Sequence, residues 1–125
     1  MKELENFLEK IERVIQEHHQ YKFEAYSFVM AALHHTVSKL KKPRHISGKE
    51  LTEGIREYAL EQFGPMARTV LDYWGIHGTL DFGKIVFALV EVGILRKQPE
   101  DKLEDFKDIY DFEKAFDEGY EIKDE

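Results

Sequence analysis

Apolar positions recur three and four residues apart along most of the chain, and between His45 and Leu95 this pattern is punctuated sharply enough to predict three consecutive helices. Ser47 and Glu50 form a capping box, in which hydroxyl and carboxylate each satisfy a backbone N–H that a helix start leaves free. Ile46 and Leu51 flank it with the spacing of a hydrophobic staple. Leu51, Ile55, Tyr58, Ala59 and Phe63 carry the apolar face, and Gly64-Pro65 ends this helix and begins the next. Met66, Val70, Leu71 and Trp74 line the second, stopped at Gly75 with Ile76 placed for the contact beyond the cap. Asp81 is positioned to cap the third, Phe82 to Val92, which Gly93 closes.

Before this centre, Leu4, Phe7, Leu8, Ile11, Val14, Ile15 and His18 share one face of an amphipathic helix. After the polar break at 17–20, Phe23, Tyr26, Met30, Leu33, Val37 and Leu40 form a seam down another. A link this short predicts that the two fold into an antiparallel hairpin packed on the centre. Beyond Gly93, Ile94 to Lys97 reads as a short strand, and the alternation in Asp105 to Tyr110 as its partner. Asp111 is placed to cap a last short helix through Phe112, Ala115 and Phe116, ended at Gly119, with fraying expected after Tyr120. The predicted architecture is a mainly α single domain: a helical hairpin at 1–42, a three-helix centre at 45–95, and a small β-hairpin with an acidic C-terminal segment at 96–125. Its outline is winged-helix-like.

Charge changes this picture in one place. Residues 1–98 hold 14 basic and 13 acidic side chains, whereas 99–125 hold 4 and 12, so the tail carries the net charge of −7. An acidic tail opposes binding to phosphate backbones, which depends on lysine and arginine releasing counterions. Four cations, Lys39, Lys41, Lys42 and Arg44, surround Pro43 and read as a solvated helix end facing the negative pole of the helix dipole. With no cysteine there is neither a disulfide nor a thiolate site, and no signal peptide or membrane-spanning run is visible, so a cytoplasmic address is expected. One Asn, four Gln and abundant charge resemble the composition of proteins from hot environments.

The run from His45 to Leu51, continued by Glu53 to Ala67, resembles a family of uncharacterised conserved bacterial proteins of planctomycetes and verrucomicrobia. Trp74-Gly75-Ile76, Asp81-Phe82-Gly83 and the Asp105 to Phe116 region fit the same pattern, so the resemblance covers most of the chain after Tyr21. It implies relatives but no activity, cofactor or catalytic residues.

Candidate chemistry is thin. In a winged-helix arrangement Asp81 to Val92 would read DNA and residues 96–106 would form the wing. The exposed side of that helix offers Lys84 against Asp81 and Glu91, and the wing adds Glu100, Asp101, Glu104 and Asp105, so the sequence argues against nucleic-acid binding. A helix apolar nearly all round is either enclosed or faces a partner, which makes Phe87 and Val92 candidate interface residues. The pairs His18-His19 and His34-His35 diverge on a helix, and His34, beside the seam, reads as a half-buried histidine rather than a ligand; no metal site is assigned. No nucleophile elbow or phosphate loop is present. Arg44, His45, Arg68, Tyr73, Trp74 and His77 would line a pocket for a small anion if the helix ends converge. The expected function is a non-enzymatic protein-interaction module, open to self-association, with no cofactor and no membrane partner. The alternatives are a winged-helix-like nucleic-acid-binding regulator and an enzyme whose active site gathers residues distant in sequence.

Overall fold

The structure, a computed structural model, describes residues 2–118. The expected stop at Gly119 and the fraying after Tyr120 lie outside the described residues. Five α-helices account for most of it: α1 (Lys2–Glu17), α2 (Phe23–Ser38), α3 (Gly48–Phe63), α4 (Ala67–Tyr73) and α5 (Thr79–Glu91). A 3-10 turn at Gly64–Met66 joins α3 to α4, another forms at Leu103–Phe106, and the described chain ends in a π-helical segment, Glu113–Glu118. No described helix is long and apolar enough to cross a membrane.

α5 is the axis of the core. Phe82, Ile85 and Leu89 are fully buried, and α1, α2, α3 and the 3-10 turn at 103–106 all pack on it. Its start differs from the sequence reading: Gly78 is the N-cap, and Asp81 sits inside the first turn. From there its carboxylate reaches back to accept the N–H groups of His77 (2.8 Å) and Gly78 (3.2 Å). The same carboxylate accepts the Tyr21 hydroxyl at 2.5 Å, tying the α1–α2 link to the head of α5. That link is clamped again by the Lys22 N–H on the Trp74 carbonyl (3.2 Å). At Gly75, whose φ is +94°, a Cβ would collide with the Gln20 carbonyl. Gly75 therefore serves twice, as the left-handed stop of α4 and as the seat of the link.

Three sequence expectations fail here. The two N-terminal helices do not pair chiefly with each other: α1 rests on α5, and α2 on α3 and α5. A close approach of α2 and α3 is made possible by Gly54, whose missing side chain leaves room for Thr36. The face that α2 buries is Ala25, Tyr26, Phe28, Val29 and Ala32, rotated from the expected seam, with the two alanines letting it meet two helices at once. Finally, there is no strand among the described residues, so the β-hairpin and the winged-helix outline are wrong.

The reason lies in where the backbone donors go. Ile94 and Leu95 both give their N–H to the Leu89 carbonyl, at 2.9 and 3.2 Å, finishing α5 instead of starting a ladder. Residues 96–106 form no wing. Asp101 accepts the Gln98 N–H (2.8 Å) and Asp105 the Lys102 N–H (2.9 Å), two carboxylate-held turns that lead into Leu103–Phe106. Asp108 then takes a positive φ of 49°, which breaks any extended run. Asp111 does cap the last segment, accepting the Lys114 N–H at 3.1 Å. The tail aromatics pack back on the body: Phe112 stacks on Phe82 with ring centres 5.7 Å apart, and the Tyr110 hydroxyl donates to the Thr52 carbonyl at 2.8 Å.

Candidate functional site

A partly enclosed recess lies where α2, the head of α3, α5 and the segment after α5 meet. Its volume is about 220 Å³. Leu33, Val37, Leu51, Val86, Phe87, Leu95 and Phe106 make it apolar within, and Arg44, His45, Arg96, Lys97, Asp101 and Asp105 stand around its mouth.

Phe106 forms the floor because two helices present no side chain against it. A Cβ on Gly83 would fall 2.7 Å from its ring and one on Gly48 would fall 2.9 Å away. Glycines on α5 and on the first turn of α3 therefore let a single ring close the gap between them. The mouth is rigid on one side. Arg44 grips Glu50 as a two-pronged fork, at 3.1 and 2.8 Å, while Glu50 and Ser47 complete the capping box that the sequence foretold. The Arg44 guanidinium, helped by the Ser47 N–H, holds the Glu50 carboxyl down at about 2. Because folding lowers this pKa, its contribution is fully present above the ordinary carboxylate range and fades as the pH falls from about 4.5 toward 2. Both side chains are about half exposed, so solvent screening keeps that contribution small. His45 Nε2 lies 2.8 Å from Asp101 Oδ2, joining the α2–α3 link to the segment after α5. On the other side, Arg96 has no ion-pair partner among the described residues, and Lys97 reaches only the Gln98 carbonyl at 3.4 Å.

Of the anion cluster nominated from sequence, only Arg44 and His45 border this recess. Arg68 and Trp74 lie near the far end of α3, which at 16 residues is about 24 Å long. There Arg68 pairs with Asp117 (2.8 Å), and Trp74 packs against Phe28 and Phe63. Tyr73 is 70% exposed beneath the Lys22 ammonium, and His77 pairs with Asp72 at 2.7 Å. The six residues do not converge. Nor do the two interface candidates behave alike: Val92 belongs to the core at 4% exposure, while Phe87 is half-buried and borders open space. His34 is exposed; the half-buried histidine is His35, which lies on the Tyr58 ring and 3.5 Å from Glu61.

A second, more open cleft of about 460 Å³ lies on the other side of Phe87, lined by His18, Tyr21, Tyr26, Lys84, Glu91 and Leu103 among others. Burial raises the Tyr26 phenol to about 12, and burial together with the Asp81 bond raises Tyr21 further, so both stay protonated donors at neutral pH. As for a DNA-reading helix, α5 is enclosed on most of its circumference and offers Lys84 as its one exposed cation. Sequence reasoning passed over Arg96, Lys97 and Phe106 as site residues. The signal available was the Arg96-Lys97 pair, basic and directly followed by the acidic tail. No family model matches the chain, nor does any curated protein or solved structure.

Proposed function

We propose that the protein is an interaction module whose recess between α2, α3 and α5 accepts one apolar side chain from an acidic segment of a partner protein. A single observation carries this reading: an apolar recess of about 220 Å³ opens beneath two cations, Arg96 and Lys97, that have no carboxylate partner within the described chain. The size favours an anchoring side chain over a free metabolite, since small-molecule sites usually enclose about 300–1,000 Å³. A buried anchor surrounded by charge is also how interfaces concentrate their binding energy. At the mouth Arg44 is matched by Glu50 and His45 by Asp101, so the unmatched Arg96–Lys97 edge selects acidic partners by charge complementarity. Phe87 stays in this reading as a wall of the recess; Val92 does not. The resemblance to an uncharacterised bacterial family brings no activity with it and adds nothing to this argument.

The test is fluorescence anisotropy with a labelled acidic peptide bearing one central phenylalanine, against the same peptide with serine in its place. The phenylalanine peptide should bind at least about tenfold more tightly, and a variant carrying Arg96→Glu with Lys97→Glu should lose that preference. Both positions are exposed, so the double variant should fold. Equal binding of the two peptides, or undiminished binding by the charge-reversed variant, would overturn the proposal. So would a long-chain fatty anion that binds where the peptide does not.

A further inference from the structure

α1 and α5 finish side by side, and both finish badly for isolated helices. Each carries a glutamate in its last turn, Glu17 and Glu91, and neither has a basic residue there. A helix C-terminus is the negative end of the dipole, so a carboxylate at that place is unfavourable unless a cation answers it. His18 extends α1 by one further bond, its N–H on the Val14 carbonyl at 2.8 Å, and turns its imidazole toward the pair. Its Nε2 stands 3.8 Å from Glu91 Oε2, and one ligand atom from each of Glu17, His18 and Glu91 lies within 4.8 Å of the other two.

We infer that Glu17, His18 and Glu91 form a binding site for a first-row divalent cation, with Zn²⁺ the best match to one imidazole and two carboxylates. Three protein ligands leave a fourth position for water, the usual arrangement of an open zinc site. Ligand atoms at a tetrahedral zinc stand about 3.4 Å apart, so small side-chain rotations close the observed spacing. Two basic groups are close by. The Lys10 ammonium lies beside Gly93, 3.6 Å from where a Cβ would stand, and Lys84 lines the neighbouring cleft. Neither forms an ion pair with Glu17 or Glu91. A bound cation would neutralise both helix ends and fasten α1 to α5 at the end where α1 turns into the α1–α2 link. His18 also borders the open cleft beyond Phe87, so the water position would face a space lined by Tyr26 and Lys84.

Titration of the untagged, metal-free protein with Zn²⁺ by calorimetry, and with Co²⁺ by visible absorption, tests the site. One equivalent should bind in the micromolar range, and Glu91→Gln and His18→Asn should each weaken binding about tenfold or more. Zn²⁺ should also slow amide exchange along α1, since ligation favours the docked helix. His77→Asn, which alters the His77–Asp72 pair, should leave zinc binding unchanged. The inference falls if no metal binds at submillimolar concentration, if Glu91→Gln binds as well as the parent, or if the His77 variant abolishes binding. Far-ultraviolet circular dichroism of each variant separates loss of the site from loss of the fold.

Discussion

α1 divides its apolar and polar residues between opposite faces more cleanly than α2, α3 or α5 do, and α5 is apolar on nearly every side. Their burial runs the other way. Leu4 and Leu8, on the apolar stripe of α1, are 55% and 48% exposed; Ile11 and Val14 are buried, and Phe7 and Ile15 pack only partly against the core. In α5, Phe82, Ile85 and Leu89 are fully buried and the half-buried residues between them wall two clefts. An amphipathic stripe thus states which face of a helix can be buried. Whether it is buried depends on how far a neighbour extends, and α5 covers only the C-terminal half of α1.

The sharpest test of this contrast removes a ring from the axis. Phe82→Ala should cost about 3–5 kcal/mol in urea unfolding, since the ring is wholly enclosed and Phe112 stacks on it. In the anchored half of α1, Val14→Ala should cost about 2 kcal/mol by the same measurement. A similar loss from a residue on the outer half of α1 would break the comparison. Gly83→Ala sharpens it from the opposite direction. In an open helix this change is stabilising by up to about 1 kcal/mol, but here the new methyl meets the Phe106 ring at 2.7 Å. The net result should be a loss of about 1–2 kcal/mol, read as a lowered unfolding midpoint. Least of all, Leu4→Ala combined with Leu8→Ala should leave stability within about 0.5 kcal/mol of the parent. A drop of several times that size would mean the outer turns of α1 are covered in solution.

Much of the helical centre was legible because its signals are local. The Ser47–Glu50 box, the glycine stops at 75 and 93 and the Asp111 cap each act within about four residues, and each is found in place. The β-hairpin misled because alternation is only half of a strand's requirement; the other half is a partner edge with free donors. Ile94 and Leu95 had already given theirs to α5. The candidate site was legible only at Arg44, His45 and Phe87. Its floor depends on Phe106 meeting Gly48 and Gly83, and its mouth on His45 meeting Asp101, neither of which any spacing in the sequence reveals.

The amino-acid sequence by itself determined where helices start and stop, which faces are apolar, and that the tail is acidic, because capping and periodicity are short-range and each residue type carries its own charge. Only the tertiary structure decided which of those faces are covered, that α5 rather than α1 or α2 is the axis, and that Tyr21 donates a hydrogen bond to Asp81, sixty residues away. Those outcomes depend on close fit between surfaces distant along the chain, where one missing side chain at Gly48, Gly54, Gly75 or Gly83 sets which partner can approach.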